Sequence, residues 1–422
     1  MASAAGIDCD CNWTINRALH TVSWRWQPPV LSPVSARSLA SGLAAASGLI
    51  ARDDDRVVRT VCERYDASDA LLTDSGKSAL VLALLAVVPS GGTVAYPGYA
   101  CIDLTAAAVR AGVRVRLYDL DPTTLSPDLE SVRSVISRGV DAIVVSHLYG
   151  YPADVEAVRD IAALHGVLVI EDAAQAAGGT LRGARLGSLA DISILSFGRG
   201  KGTTAGSGGA VLVRSGLLAE WARKTRGTLS VSRGGGGREV VNLAAQWMLS
   251  HPELYRLPAS MPALKLGEMV YHRAGTPQSI SAAAAAVLPT ALRLDEAEVA
   301  RRRAHALALL SCMNGSRLRP IRCVPGGESG YLRLACIDAS GEARPQPRLG
   351  ALRGYPLTVE QHEPLRSSLV AGEKAGLGST SLRDNLFTLP THSRVGPTDL
   401  SRLASWIAVS NSQTVSTQSS AD

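Results

Sequence analysis

Between about residues 70 and 215 the chain repeats one unit, a short apolar run followed by helical text, and that repeat limits the fold more than any other feature. The runs are Ala70–Thr73, Thr93–Tyr96, the alternating Val113–Asp119, Ala142–His147, Val167–Ile170 and Ile192–Phe197. Between them lie helical stretches such as Ser78–Val88 and Ala153–His165, the second apolar at 155, 158, 161, 162 and 164. Short apolar runs without polar alternation are strands covered on both faces, and parallel strands need helical crossovers. The repeat therefore predicts an α/β fold with a mostly parallel sheet between helix layers. Ligands of such sheets sit at the carboxyl ends of the strands, so chemistry is sought just after each run.

Two run ends stand out. VLVI (167–170) leads into Glu171-Asp172-Ala173-Ala174-Gln175. A carboxylate at a buried strand end is costly unless something cationic pairs with it. Ile192–Phe197 leads into GRGKGTTAGSGG (198–209), which sets Lys201 in a Gly/Ser/Thr loop. The chain has five lysines, at 77, 201, 224, 265 and 374, so arginine supplies most of its positive charge. Lysine, unlike arginine, can lose its proton and form a Schiff base with an aldehyde. Taken singly, a surface loop with an incidental lysine and an Asp capping a helix at Ala173 both stay open. A third run end, Asp74-Ser75-Gly76-Lys77 before the helix at Ser78, has the form of an anion site. Free N–H groups at a helix start, together with the helix dipole, attract negative charge.

A strand-end Asp followed about thirty residues later by a strand, a loop and a Lys is the spacing of fold-type-I pyridoxal-phosphate enzymes. The blocks TDSGKSAL (73–80), YPGYACID (96–103), HLYGYPAD (147–154), EDAAQ (171–175) and GSLADISILSFGRGKGTTAGSGGAV (187–211) resemble, in order and spacing, the DegT/StrS family of aminotransferases. The resemblance implies a large cofactor-binding domain and a small C-terminal α/β domain, with pyridoxal 5′-phosphate on Lys201. Asp172 would hold the protonated pyridine nitrogen, Gln175 the phenolic oxygen and Ala174 one ring face. Ser75, Gly76, Lys77 and Ser196 would form the phosphate cup. The family generally stacks an aromatic ring on the pyridine; here that position falls on Cys101, with Tyr99 two residues earlier. Either could cover the ring, and a reactive role for Cys101 is disfavoured because Lys201 already supplies the nucleophile. His147 is either a core residue or a wall of the site.

The implied reaction moves an amino group from an amino acid, glutamate or glutamine, to a keto sugar or a small ketone or aldehyde of secondary-metabolite or polysaccharide biosynthesis. Decarboxylases and C–C bond-forming pyridoxal enzymes would share every residue named. Family dehydratases carry histidine in place of the lysine, and a non-catalytic regulator would have lost the Lys/Asp pair; Lys201 and Asp172 oppose both. A nicotinamide fingerprint is missing, since GRGKGT (198–203) lacks the third glycine. Residues 228–280 lack the Tyr/Asn/Arg-rich loop expected of nucleotide-sugar enzymes of the family, so the acceptor stays open.

Net charge of +6 and a pI of 9.0 suggest nucleic acid only weakly, because the arginines are scattered and aromatics are 4% of the chain. Arg301–Arg303, with Glu296 and Glu298 nearby, reads as a solvated helix face. Seven widely spaced cysteines form no disulfide framework, and Cys9-Asp10-Cys11 lacks a second pair for a metal. With no run of eighteen apolar residues and no secretory leader, the expectation is a cytoplasmic protein free of membrane and metal. The expected division is an N-terminal arm (1–35) with Trp13, Trp24 and Trp26, a large domain (36–280), a small domain (281–410) and a disordered tail (411–422). The arm would pack on the main domain or on a partner in a homodimer. Ser281–Leu310 reads as a long helix kinked or broken at Pro289, and Arg233–Arg238 as a glycine loop that either closes over an acidic substrate or only links.

Overall fold

The computed structural model describes residues 25–230, 235–261 and 269–409. Cys9–Cys11, Trp13, Trp24, the tail from 411 and part of the Arg233–Arg238 loop lie outside them.

The helices α1 (Ala36–Ala46) and α2 (Asp54–Tyr65) lead into a first layer of alternating elements. In order these are β1 (Asp69–Thr73), α3 (Gly76–Val87), β2 (Thr93–Pro97), α4 (Ile102–Ala111), β3 (Arg114–Tyr118), α5 (Leu129–Ser137), β4 (Ala142–Ser146), α6 (Val155–Ala163) and β5 (Leu168–Asp172). The two-residue strands β6 (Thr180–Leu181) and β7 (Ala184–Arg185) precede β8 (Ile192–Ser196) and β9 (Gly209–Val213). Seven strands form one sheet in the order β1-β9-β8-β5-β4-β2-β3. It is parallel from β8 to β3 and antiparallel at β8–β9 and β9–β1. The antiparallel edge has a simple cause. Only the loop 197–208 joins β8 to β9, and a return that lacks a crossover helix must run antiparallel. The Lys201 loop is thereby pinned at the carboxyl end of β8.

Alternate side chains of each strand enter opposite cores. Leu71, Val94, Val144, Ile170, Ile194 and Val211 pack with α3, α4 and α7 (Gly216–Thr228). Leu72, Ala95, Val145, Val169, Leu195 and Leu212 pack with α2, α5, α6 and α10 (Ala282–Met313). In α3 the consecutive residues Leu80–Leu84 are all buried, as expected of a helix apolar on every side.

Past α7, α8 (Gly237–Leu249) and α9 (Pro252–Ala259) lead to α10, which continues unbroken through Pro289. Of the kink or break expected there, the break does not occur. Ala283, Ala284, Val287, Leu288, Ala291 and Leu292 are buried on both sides of the proline, and this packing outweighs one lost helical hydrogen bond. The last part holds β10 (Leu318–Pro320), β11 (Gly327–Glu328), β12 (Leu334–Asp338), β13 (Leu352–Arg353), α11 (Leu377–Asn385), β14 (Leu386–Leu389) and α12 (Pro397–Val409). Its antiparallel sheet, β10-β12-β14-β13, packs with α10 and α12 around Leu309, Phe387 and Leu403. β11 pairs with β6, tying this part back to the Lys201 side of the large sheet. No described helix is long and apolar enough to cross a membrane.

Candidate active site

The carboxyl ends of β2, β4, β5 and β8 and the starts of α3 and α4 converge on a single cleft. Its wall includes Gly76, Lys77, Cys101, Asp103, Ser146, His147, Asp172, Ala174, Gln175, Ser196 and Lys201. Eight of the ten cofactor-site residues named from the sequence thus share one surface, with His147 beside them; Ser75 and Tyr99 do not line it.

Strand β5 sorts its two acids by parity, since neighbouring side chains point to opposite faces. Glu171 turns away from the sheet's α3 face and is fully buried. It accepts hydrogen bonds from Gly187 N, Leu189 N (2.9 Å) and Ser193 Oγ (2.8 Å), and it meets His147 Nε2 at 2.9 Å. Burial alone would raise its pKa, but the His147 contact and these N–H groups outweigh it and hold the carboxyl below its usual range. The Ala153 N–H donates to His147 Nδ1 at 3.0 Å, so His147 Nε2 carries the proton given to Glu171. His147 is both a satisfied core residue and a wall of the cleft.

Asp172 faces the cleft. Its carboxylate accepts from Ser146 Oγ (3.1 Å) and from the Ala174 N–H (3.0 Å), with no ion-pair partner within 4 Å among the described residues. Burial pushes its pKa up, against the pull of these two donors, Lys201 and His147. A buried carboxylate in this state gains from a cation placed beside it. For Lys201 burial alone would lower the amine's pKa, but Cys101, Asp103 and Asp172 together raise it. The Cys101 thiol is itself pushed up to about 11 by burial, so it is neutral, and the standing attraction comes from the two carboxylates. The Lys201 amine makes no hydrogen bond to a described residue.

The anion end is built by close approach. Ser75 caps α3, its Oγ accepting from the Ser78 N–H at 3.1 Å, so its side chain serves the helix while its neighbours face the cleft. A Cβ on Gly76 would stand 2.7 Å from Ser196 Oγ, and one on Gly209 would stand 2.6 Å from the Ser75 carbonyl oxygen. Only glycine lets β9, β8 and the start of α3 meet this tightly. Lys77 lines the cleft, but its amine bonds the His272 carbonyl (3.1 Å) and pairs with Asp103 at 3.3 Å. Gln175 is likewise engaged: its Nε2 donates to Tyr355 Oη (2.6 Å) and its Oε1 accepts from the Tyr149 N–H (3.2 Å).

Tyr99 is not brought to the cleft. It is fully buried, 5.4 Å from the ring of Tyr355, and its hydroxyl accepts from the Tyr355 N–H at 2.5 Å. Of the two ring-cover candidates, Cys101 holds the cleft position at the start of α4, because Tyr99 is locked behind it by the C-terminal part of the chain.

Residues 52–318 match the DegT/DnrJ/EryC1/StrS aminotransferase family. The chain belongs to this family. It is 32% identical over 311 residues to the L-glutamine:2-deoxy-scyllo-inosose aminotransferase of Streptoalloteichus tenebrarius, covering 72% of this chain and 68% of that protein. It is 36% identical over 159 residues to the 3-amino-5-hydroxybenzoate synthase of Amycolatopsis mediterranei, covering 37% of this chain and 41% of that one. The fold matches the crystal structure of the aminotransferase TlmJ from Streptoalloteichus hindustanus with a TM-score of 0.70, at 23% identity and over 91% and 98% of the two chains. The α/β aminotransferase fold and the pyridoxal-phosphate-dependent aminotransferase class expected from the sequence both hold.

The residues of this DegT-family chain fit pyridoxal phosphate on their own chemistry. A buried carboxylate awaits a cation, an amine stands across the cleft from it, and a glycine-lined helix start beside the Ser196 hydroxyl suits a phosphate. Sequence reasoning missed Ser146, which donates to Asp172, and Asp103, which holds Lys77. Both follow strands or blocks it had identified, but nothing in the linear text aims their side chains.

Proposed function

We propose that this chain is an aminotransferase that holds pyridoxal 5′-phosphate at Lys201 and moves an amino group from glutamate or glutamine to a ketone or aldehyde. The observation that carries the reading is the sharing of one cleft by Lys201, Asp172 and the α3 start. The acceptor class is a keto sugar, a keto cyclitol or a similar small ring ketone of secondary-metabolite or polysaccharide biosynthesis. The names of the two relatives above support it.

Bound there, the cofactor supplies an electron sink for breaking the bond to hydrogen at the donor's Cα. Lys201 Nζ is the base that takes this proton and the acid that returns it. Asp172 keeps the adjoining ring nitrogen cationic, and Ser146 and the Ala174 N–H fix the carboxylate for that work. Ser196 and the start of α3 at Gly76 and Lys77 bind the phosphate. The neutral Cys101 covers a ring face and excludes water.

A homodimer in the cytoplasm completes the reading. Val241, Trp247 and Met248 of α8, Leu254 and Leu257 of α9 and Met261 just past it are exposed apolar side chains that a partner subunit would cover. A solution mass of twice 44.1 kDa is the check.

The deciding experiment is an absorption spectrum of the protein with pyridoxal phosphate, wild type beside Lys201→Ala, before and after glutamate or glutamine. Wild type should show a visible band that the amino acid bleaches, and Lys201→Ala should lack it. A wild type without the band would end the cofactor reading. A band that no amino acid bleaches would end the transaminase reading and leave other pyridoxal chemistry.

A further inference from the structure

A second, larger cavity of about 570 Å³ opens on the far side of the Lys201 loop. Arg199 and Gly200 of that loop, Leu31 of the N-terminal segment, Gln246 of α8, Tyr255 of α9 and Arg333 form its wall. Its volume falls in the range of small-molecule sites, and its lining is mixed, with apolar Pro29, Leu249 and Pro258 beside polar ends.

Arg333 is the anomaly in that wall. Its Nε and Nη2 are buried with no hydrogen-bond partner among the described residues. Arg302, by contrast, is fully buried but pairs with Asp295 at 2.7 Å, whereas Arg333 has no carboxylate partner among the described residues. The groups facing Arg333 are Tyr149, Tyr355, Tyr99 and Tyr255. Burial raises the pKa of all four phenols, that of Tyr149 to about 12, so none supplies negative charge near neutrality. Burial also disfavours charge on Arg333, yet a guanidinium keeps its proton at any working pH. Guanidinium nitrogens withdrawn from water without a partner are unfavourable. An anionic ligand would offset that cost, and the planar fork suits a carboxylate bound through two parallel hydrogen bonds.

The position ties this cation to the reaction. The Arg333 N–H donates to the Tyr149 carbonyl at 3.2 Å, and the Tyr149 N–H donates to Gln175 on the cleft wall. Tyr355 joins the two from the other side, through its bond with Gln175 and its stacking with Tyr149. Arg333 thus stands one residue behind the cleft wall, and Gly200 is the neighbour of Lys201 in sequence and a wall of this cavity.

We propose that Arg333 reads a substrate carboxylate, so that the molecule exchanging its amino or oxo group at Lys201 is an acid held in this cavity. The proposal rests on the pyridoxal-phosphate reading of Lys201. The carboxylate belongs either to the amino donor, which always carries one next to its amine, or to an acidic acceptor.

The test is calorimetric titration of the cofactor-loaded, full-length protein with glutarate, which has two carboxylates and no amine to react. Wild type should bind it. Arg333→Gln should bind it at least tenfold more weakly, and Arg333→Lys should fall between the two, since it restores charge without the fork. The retained visible band and an unchanged melting temperature show that the variants fold. Single-turnover bleaching by glutamate then separates the sources. A tenfold rise in the glutamate concentration giving half-maximal rate, with the limiting rate kept, places the donor's carboxylate on Arg333. An unchanged donor reaction, together with a lost preference of the amine-loaded enzyme for 3-oxocyclohexanecarboxylate over cyclohexanone, places the acceptor's there. Glutarate that fails to bind wild type, binds Arg333→Gln equally well, or is outcompeted by pyrophosphate in wild type overturns the assignment. Loss of the band in wild type would instead overturn the cofactor reading, so the two failures are distinguishable.

Discussion

At the scale of single residues, the site depends on which way each side chain points from a strand end. Asp172 was legible because a carboxylate at the end of VLVI has few reasons to be there. The division of labour with Glu171 follows from strand parity, yet parity does not say which face holds the cleft. Tyr99 shows where the text runs out. Its burial is decided by Tyr355, which is 256 residues away and donates its N–H to the Tyr99 hydroxyl. Lys77 likewise reads as a phosphate ligand until Asp103, on the next helix, claims its amine. The Asp172 assignment gives a sharp expectation. Asp172→Asn keeps the shape and loses the charge, so the cofactor's visible band should survive while bleaching by glutamate slows about 10²–10³-fold, the usual cost of removing one preorganised electrostatic partner. Equal bleaching rates in variant and wild type would remove Asp172 from the reaction.

At the scale of elements, the parallel repeat and the buried α3 were legible because each is local. Ser75 before an apolar helix start announces both a cap and an anion site. The antiparallel edge was missed because it depends on what the 197–208 loop lacks, and β6, β7 and β11 were missed because two-residue strands have no pattern of their own. The meeting of α3, β8 and β9 makes Gly76 the residue with least room. Its φ is not in the left-handed region, so a substitution tests space alone. Gly76→Ala would drive a methyl group to within 2.6 Å of Ser196 Cβ. The expected outcome is at least tenfold weaker pyridoxal-phosphate binding, measured by titration of the visible band, with a melting temperature close to that of wild type. A variant that binds the cofactor normally would mean that the phosphate is held elsewhere.

At the scale of the whole molecule, the N-terminal segment closes the second cavity and is itself fastened by the C-terminal part. The Gln27 N–H donates to the Arg348 carbonyl (2.9 Å), Gln27 Nε2 donates to Asp399 (2.7 Å), and His392 Nε2 donates to the Pro28 carbonyl (2.7 Å). His392 is fully buried, and its Nδ1 has no partner among the described residues. Burial therefore drives its pKa down to about 4, although Pro28 and Glu298 favour the charged ring and His305 and Arg394 oppose it. The unfolded chain takes up this proton near pH 6.5, whereas the folded one resists it until about 4. The neutral form's stabilising share is thus fully present above 6.5 and is lost as pH falls toward 4, roughly 3 kcal/mol across the window. His362, also held down to about 4 by burial, acts in the same direction. Carboxylates whose pKa is held low, such as Glu171, stay ionised between pH 6.5 and 5, and Asp172, whose pKa is raised, contributes equally to wild type and to a His392 variant, so comparing the two isolates His392. Melting temperatures of wild type should fall steadily across it. His392→Gln, which keeps a donor for Pro28 but does not titrate, should fall less steeply while the slope due to His362 remains. Parallel slopes would mean that the segment over the cavity is not fastened through a neutral His392.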